Sequence, residues 1–330
     1  MPDTTPRIRR AALAGKIETT YGTNAFAGAP VAADILPIMD LDIEEPRGFY
    51  PNPATTGLLD HQPGVPGELM ARIRGAIWLR GAGEAYSAGN KPAAGPILRA
   101  LGFSETLVTT GGSESVTYKF PKAPEHESLS LVVMQENGPS VTILGARGTG
   151  SLVMVAGQPV VLRFELWGLH GGRGTQALVT AAPEQTPIHP ILASAAFQMG
   201  TENFAAQFRA LTMALNSLVV PRMDENNANA YSGIFITTDP MRPPTLEFDP
   251  EMVTAATYDW FTKWGAGSLI DWSFGTNGAQ YVRVKFGEAA TSKAQIASLR
   301  WGTRDELRTT PVVLNLLPNA GADALTILFD

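Results

Sequence analysis

The feature that most constrains this sequence is a segment that occurs twice. Residues 128–167 and residues 268–317 share Ser-Leu, Asn-Gly and Pro-Val-Val-Leu in the same order. The Asn-Gly pairs begin at 137 and 277 (277 − 137 = 140), and the Pro-Val-Val-Leu runs begin at 159 and 311 (311 − 159 = 152). The difference between these spacings is twelve residues (152 − 140), a loop insertion that costs little. The repetition predicts a duplicated β domain.

The composition is that of a β-rich globular protein. The chain has 330 residues, 44% of them hydrophobic, which is enough for a sizeable core and for about two domains. Its 33 glycines and 25 prolines are spread along the sequence and favour many turns between short strands. The absence of cysteine excludes disulfides, iron–sulfur clusters and thiol nucleophiles. A net charge of −6 disfavours a broad surface that grips phosphate.

Neither a signal peptide nor a membrane span is expected. The first sixteen residues carry basic charge but no apolar stretch of signal-peptide length, and no later run approaches eighteen apolar residues. We therefore expect a soluble protein that is not exported by a signal peptide.

The patterns along the chain predict a mainly β protein with minor α content. We expect two tandem antiparallel β-sandwich or barrel domains, each flanked by a short helix, at 93–102 in the first domain and 251–264 in the second. The predicted boundaries are an arm at 1–34, a domain at 35–170, a linker at 171–190 and a domain at 191–330. Within the first domain, residues 44–67 contain five prolines and predict a long binding or assembly loop.

The sequence shows no catalytic or metal-binding signature. Nucleotide-binding, zinc-protease, hydrolase and calcium-loop motifs are absent from it. The four histidines have no partner at metal-ligand spacing, and the glycine-rich strings at 145–150 and 168–174 do not open a helix after a parallel strand. We therefore expect no enzyme activity, no cofactor and no metal.

Six charged residues are the candidate site residues, as charges that face a lumen or a subunit interface. They are Asp40, Asp42, Glu44, Glu45, Arg72 and Arg74. The acids follow one predicted strand and could be solvated surface, a divalent-cation or paired acid/base centre, or a negatively charged wall. The arginines alternate along a second predicted strand and could balance the acids across the sheet or across a subunit contact. A nucleic-acid patch is the weaker interpretation in an acidic chain.

Several motifs, taken in order, resemble one family. KIETTYGT at 16–23 is similar to the opening of the tail-tube (major tail) proteins of long-tailed bacteriophages. The likeness continues through GPILRALGF at 95–103 and LGARG at 144–148, and ends at LNLLPNAGADALTILF, residues 314–329. It covers most of the chain and is weakest over 46–67 and 205–251. None of these motifs is catalytic, so the resemblance rests on their order and pattern.

This resemblance implies a fold, an assembly and a location. The implied fold is a pair of antiparallel sheets with a flanking helix, in which the inner sheets of neighbouring subunits form one barrel around a lumen. Stacked rings would form a tube in the tail of the virion, made in the host cytoplasm, through which double-stranded DNA passes without specific binding. The implied partners are other copies and tail proteins such as the tape measure, terminator and distal tail proteins.

The duplication adds a hypothesis about the number of copies. Tail tubes are commonly sixfold, so a chain with two tube domains would form a homotrimeric, pseudo-sixfold ring, with a homohexamer as the fallback. The trimer would carry a formal charge of −18 (3 × −6). The arm at 1–34 and the loop at 44–67 could bridge to the next ring.

Two other function classes stay open at this stage. The chain could be a β-sandwich module of a phage or bacterial surface that binds carbohydrate or a host protein, with tryptophans as its platform. The tryptophans concerned are Trp260, Trp264, Trp272 and Trp301, for which a place in the core or an interface is the simpler interpretation. The third possibility is a hydrolase with an unfamiliar nucleophile.

Overall fold

The computed structural model describes residues 11–54, 62–121, 126–136, 138–180, 189–193, 196–200, 202–203, 207–227, 230–239, 241–288, 291–319, 321 and 323–330. Its strand ladders are all antiparallel, and the described residues include two short α-helices. The predicted mainly β class, with sandwich packing and one short helix in each half, is confirmed. Neither helix has the length and apolar character needed to cross a membrane.

The first half of the chain contributes strands β1 to β10 and helix α1. Their bounds are β1 (Ala11–Ile17), β2 (Ile35–Leu36), β3 (Met39–Glu44), β4 (Arg47–Asn52), β5 (Gln62–Trp78), α1 (Gly95–Ala100), β6 (Ser104–Val108), β7 (Ser115–Phe120), β8 (Leu129–Gln135), β9 (Ser140–Val155) and β10 (Val161–Gly174). A single 3-10 turn at Ala32–Asp34 precedes β2.

The second half contributes strands β11 to β23 and helix α2. Their bounds are β11 (Gln198–Met199), β12 (Glu202–Asn203), β13 (Phe208–Ala214), β14 (Ser217–Met223), β15 (Tyr231–Thr238), β16 (Thr245–Pro250), α2 (Trp260–Gly265), β17 (Leu269–Gly275), β18 (Val284–Phe286), β19 (Lys293–Leu299), β20 (Gly302–Arg304), β21 (Leu307–Thr309), β22 (Val312–Leu317) and β23 (Leu325–Phe329).

Six strand pairings of the first half recur in the second half in the same order. The pairings β1·β2, β1·β8, β3·β5, β5·β10, β8·β9 and β9·β10 match β11·β12, β11·β17, β13·β16, β16·β22, β17·β19 and β19·β22. Helix α1 contacts β9, and α2 contacts β19. We therefore call β1 to β10 the first repeat and β11 to β22 the second repeat.

The two repeats are joined edge to edge. Ser151–Val155 of β9 pairs with Ala210–Ala214 of β13 in a regular ladder, which we call the seam. The seam gives an eight-stranded sheet in the order β3-β5-β10-β9-β13-β16-β22-β19, four strands from each repeat. One hydrophobic cluster contains buried side chains from both halves. The predicted division into domains at 35–170 and 191–330 stays a prediction.

A second layer of strands covers the core. β6 pairs with β7, β7 with the C-terminal β23, and β23 with β18. Tyr118, Phe120, Phe286 and Phe329 on these strands are fully buried. Because β7 belongs to the first half of the chain and β23 is the last strand of the second half, this layer also joins the two halves.

The repeated Pro-Val-Val-Leu runs occupy matching places. Leu162 on β10 lies between Ile77 and Leu152, and Leu314 on β22 lies between Leu246 and Ile296. Both leucines are buried, as alternation along a strand with one face on the core requires. The Asn-Gly pairs are not compared as turns. Position 137 lies outside the described residues, and eight residues (276–283) separate β17 from β18.

Part of the predicted arm at 1–34 is regular β structure, at residues 11–17. They form β1, which pairs with β8 along its whole length and with β2 at Leu13 and Ala14. The middle of this strand is buried on both faces, so its sequence of small and apolar residues shows no alternation. Residues 1–10 lie outside the described part of the chain.

The predicted loop at 44–67 is largely a β-hairpin. Arg47–Asn52 forms β4 and pairs with the first half of the long strand β5, and residues 55–61 between them lie outside the described part. Pro63 and Pro66 suggested a loop because proline lacks an N–H group. A two-stranded hairpin has two free edges, where a proline costs no ladder bond.

Two other boundaries differ from the predictions. Strand β10 extends to Gly174, four residues into the predicted linker at 171–190, and residues 181–188 lie outside the described part. The helix predicted over 251–264 is confined to Trp260–Gly265 and begins after Asp259, whose side chain accepts a hydrogen bond from the Thr262 N–H. The preceding residues bond elsewhere, since the Glu251 N–H donates to the carbonyl of Gln207.

Candidate functional site

Four of the six candidate charges meet on one face of the β3–β5 ladder. Asp42 lies opposite Arg74, and Glu44 lies opposite Arg72. The hydrophobic neighbours of these arginines, such as Ile73, point to the opposite side and are buried in the core. The charged residues therefore lie on the sheet face away from the core, as the alternation in the sequence predicted.

These charges form a connected network of ion pairs. Glu44 accepts hydrogen bonds from Arg72 at 3.1 Å and from Arg74 at 2.9 Å, and Asp42 lies 3.6 Å from Arg74. Glu165 on the adjacent strand β10 lies 2.8 Å from Arg72 and 3.2 Å from Arg74. Of the options left open by the sequence, balance of charge across the sheet describes this geometry.

Glu165, which the sequence analysis did not single out, joins the two strands of this network. Burial alone would raise the pKa of its carboxyl. The hydrogen bonds from Arg72, from the Trp167 indole N–H and from Arg74 together outweigh burial and lower the pKa. The hydrogen bond to Glu165 in turn raises the pKa of Arg72. Arg72 also lies 4.7 Å from the centre of the Trp167 ring, a cation–π distance.

The other two acids lie apart from this network. Glu45 lies 3.0 Å from His170 Nε2, at hydrogen-bond distance, and forms an ion pair with Arg173, both on the far end of β10. The hydrogen bond from Arg173 is the main cause that lowers the pKa of Glu45. Asp40 sits at a bulge with φ of 53°, where β3 and β5 change register between Met39 and Asp42. This bulge interrupts the regular pairing of β3 with β5.

Each end of the eight-stranded sheet leaves a strand edge open among the described residues. β3 pairs only with β5 at its ladder positions. β19 pairs with β17 as far as Gln295, and beyond that residue only with β22. The exposed side chains of Ala297 and Ser298 lie on this open stretch, at a bulge between Ile296 and Ser298. The two edges differ in kind, because β3 and β19, which stand at opposite ends of the sheet, are not equivalent strands of the two repeats.

Two of the sequence motifs that carry the family resemblance are in direct contact. The carboxylate of Glu18, in the KIETTYGT motif, accepts a hydrogen bond from the backbone N–H of Gly145, in the LGARG motif, at 2.7 Å. The ring of Tyr21 lies 4.5 Å from the Arg147 guanidinium, which donates to the carbonyl of Ile234 on β15. Tyr21 accepts a hydrogen bond from the Ile234 N–H. This group therefore fastens the β14–β15 hairpin of the second repeat to the first.

The four tryptophans divide into two classes. Trp260 and Trp272 are buried in the core. Trp264 and Trp301 are exposed, and the Trp301 ring lies 5.9 Å from the ring of Phe261, which is also exposed. The chain therefore presents an aromatic patch beside α2 and the end of β19.

An open groove of about 520 Å³ crosses the seam on the charged face. It is lined by three arginines and two carboxylates, together with polar side chains such as Asn216. The charged members are Arg74, Arg163, Arg242, Glu165 and Asp239. Their mixed signs do not make a single-sign binding site. Within the described residues, no three His, Asp or Glu side chains are grouped closely enough to hold a metal ion.

Comparison with known proteins does not assign the chain to a family. No protein-family model matches it. No curated protein matches it either.

Proposed function

We propose that the chain is a structural protein of the tail-tube class its motifs resemble. Copies would join sheet edge to sheet edge into rings, and the rings would stack into a tube. In the virion this tube would be the conduit for double-stranded DNA, and its ends would meet other tail proteins such as the tape measure, terminator and distal tail proteins.

The seam is the observation that carries this proposal. Inside one chain, the last strand of the first four-stranded sheet, β9, pairs with the first strand of the second, β13. Within the described part of the chain, the equivalent strands at the outer ends, β19 and β3, have an open edge. Pairing of β19 with β3 of another copy would repeat the seam between chains. Such a contact joins unlike surfaces and can repeat from copy to copy, and it closes a ring when the rotation between copies divides a full turn.

The bulges on the open edges support a selective contact. A flat open edge pairs indiscriminately, and bulges are one of the means by which proteins prevent this. β3 has its bulge at Asp40 and β19 has its bulge at Ala297. A partner strand therefore has to match an irregular edge, which another copy of this chain would supply.

The charged face supports passage rather than capture of DNA. Proteins that hold DNA neutralise phosphates with free Lys and Arg side chains. Here Arg72 and Arg74 are engaged by Asp42, Glu44 and Glu165. This group has three acids and two bases, a net charge of −1 (2 − 3), so it offers phosphate no unpaired cation. Together with Arg163, Arg242 and Asp239 of the adjoining groove, this face has four bases and four acids, a net charge of zero (4 − 4), so it would neither grip nor strongly repel a polyanion.

Three copies would supply six four-stranded sheets. This number rests on the sixfold symmetry of the family that the sequence resembles, with six copies as the fallback. The two symmetries are distinguished by the mass of the isolated ring, three or six times that of the monomer, measured by light scattering.

The test is to place charge on the open edge of β19. Ala297→Lys and Ser298→Lys add a cation at exposed positions, so the monomer should remain folded while edge pairing is blocked. We expect the unmodified protein to form rings or tubes in electron micrographs, and each variant to need at least about tenfold more protein to assemble, equivalent to about 1.4 kcal/mol. Thr303→Lys, on the separate β20–β21 hairpin, is the matched control and should assemble normally. Discrete monomers of the unmodified protein at all concentrations would refute the proposal.

The aromatic patch favours a second candidate function. Phe261, Trp264 and Trp301 form an exposed platform of the type that stacks on sugar rings or on a host protein. If the chain is such a binding module, it should stay monomeric, and Trp301→Ala should abolish binding in a glycan-array or pull-down assay.

A further inference from the structure

The two repeats each contain a hairpin at the same place in the strand order, but only one of these hairpins is packed. Strands β14 and β15 form the hairpin of the second repeat, between β13 and β16. Strand β4 and the first half of β5 form the hairpin of the first repeat, which we call the β4–β5 hairpin. It follows β3 as β14–β15 follows β13.

The strand pairings set the register between the two hairpins. Ile77 and Leu246 face the equivalent leucines Leu162 and Leu314, which gives an offset of 169 (246 − 77). With the same offset, residues 62–69 of β5 are equivalent to residues 231–238 (62 + 169 and 69 + 169). These are the first and last residues of β15. Val65 thus corresponds to Ile234 (65 + 169). Each has a cross-strand partner in its hairpin, Tyr50 for Val65 and Pro221 for Ile234.

These equivalent positions have opposite environments. Ile234 is 2% exposed, because β15 lies against β9 and β10 of the first repeat and is held there by Tyr21 and Arg147. Val65 is 63% exposed, and its partner Tyr50 is 56% exposed. None of the described residues of β4, or of β5 as far as Leu69, is buried. An isolated two-stranded hairpin is at best marginally stable in water, so a hairpin of this kind is expected to have a partner surface.

We propose that the β4–β5 hairpin docks, through the face that carries Tyr50 and Val65, on the second repeat of the neighbouring copy in the same ring. The β14–β15 hairpin lies on β9 and β10 of the first repeat. The receiving surface is the equivalent one on the second repeat, around the start of β19 and the end of β22. This inference rests on the proposed ring, since the internal seam would then recur between copies together with the hairpin that accompanies it. It replaces the predicted bridge from residues 44–67 to the next ring by a lateral contact.

The opposite face of the hairpin provides a matched control. Phe49 is 66% exposed, next to Tyr50 on the same strand, and its ring lies over Gly64. The ring of Tyr50 lies over Gly67 instead. Phe49 and Val65 are therefore similarly exposed apolar residues on opposite faces of one hairpin, and only the Val65 face corresponds to the buried face of β15.

The experiment compares Val65→Asp with Phe49→Asp in the full chain. Thermal unfolding of the monomer should be unchanged in both variants, because both side chains are exposed. We expect Val65→Asp to raise the protein concentration at half-maximal ring formation by more than about tenfold, the effect of losing one well-packed interface residue. Phe49→Asp should form rings at the normal concentration. Normal rings from Val65→Asp would overturn the proposal, and so would normal single rings that no longer stack, since they would assign this face to axial contact.

A cross-link provides a second measurement that does not depend on the stability of the hairpin. The chain contains no cysteine, so Val65→Cys with Thr291→Cys introduces the only two thiols. Continuing the register of β19 places Thr291 at the position equivalent to Arg147, because Ile296 corresponds to Leu152 (296 − 152 = 144, and 147 + 144 = 291). A short bis-maleimide should join chains within isolated rings into a covalent ladder. Rings that form but give no inter-chain product would contradict the docking while leaving the proposed ring intact. Failure of the unmodified chain to form rings would contradict the ring itself.

Discussion

Loss of the Glu18 side chain should destabilise the monomer strongly, because four hydrogen-bond donors share its carboxylate. Its carboxylate is 7% exposed and accepts hydrogen bonds from the backbone N–H groups of Gly22 and Gly145 and from the hydroxyls of Ser128 and Ser130. Glu18→Ala leaves these donors without their acceptor. The serine hydroxyls can rotate to other partners, but the two N–H groups cannot.

The cost follows from these four bonds. Leaving a buried polar group unsatisfied costs about 1–3 kcal/mol, and hydrogen bonds to a charged group are the stronger ones. Two orphaned N–H groups and two weakened hydroxyls therefore give a loss of about 3–5 kcal/mol in the free energy of unfolding. The unfolding entropy of 330 residues is about 0.7 kcal/mol/K. We expect the melting temperature to fall by about 4–7 °C in scanning calorimetry.

Glu247→Ala is the control for this measurement. Glu247 is exposed on β16, so the same substitution should change the stability by less than about 0.5 kcal/mol. Glu18→Gln keeps one oxygen acceptor but presents an amide N–H₂ group to the same donors. Its melting temperature should lie between those of Glu18→Ala and Glu247→Ala. A melting temperature of Glu18→Ala within about 1 °C of the unmodified protein would refute the reasoning that this carboxylate organises the arm and LGARG.

Two further predictions concern residues for which the structure gives the direction of the change in stability. The folded-state pKa of Glu45 is lowered, mainly by Arg173, so its stabilisation is present above the unfolded pKa of about 4.3 and is lost as pH falls through the folded value. Glu45→Gln should therefore lower the free energy of unfolding, measured with urea, by about 0.5–2 kcal/mol at pH 7 and by less at pH 3. An equal loss at both pH values would contradict the ion pair. Gly145 has φ of 62°, and a Cβ there would lie 2.6 Å from the Tyr21 ring, so Gly145→Ala should cost about 1–3 kcal/mol. Gly28→Ala, with nothing within 4 Å, should be neutral, and equal losses for the two would exclude this steric cause.

The parts of the fold that sequence patterns predicted are those in which one face of a strand meets the core. Along β5, Ile73 and Ile77 are buried while Arg72 and Arg74 lie on the other face, because a single sheet with one covered face imposes a period of two. The same alternation brought Asp42 and Glu44 opposite these arginines. No such pattern existed for β1, which is covered on both sides.

The Glu18 cluster could not be derived from spacing, because its members are distant in sequence. Glu18 and Gly145 are 127 residues apart and meet only after β1 has paired with β8. A local signal did exist, since Glu18 and Gly145 each lie in a motif noted in the sequence. What the sequence lacked was a reason to join them. The pairing of β1 with β8 supplies that reason.

The difference between the two hairpins indicates that strand β5 has to change its shape in the proposed assembly. In the second repeat, β15 ends at Thr238 and β16 begins at Thr245. Pro243 and Pro244 prevent the two from forming one continuous strand. The hairpin can therefore turn away from β16 and lie on the first repeat. In the first repeat, β5 runs unbroken through the matching positions 70–75 (239 − 169 and 244 − 169). Docking on a neighbour in the same way requires β5 to bend where its partner changes from β4 to β3. Gly67 lies just before that change, where the β4–β5 ladder is irregular between Pro66 and Leu69, and it has no Cβ to oppose a bend. We therefore expect this glycine, which the Tyr50 ring covers, to be the hinge.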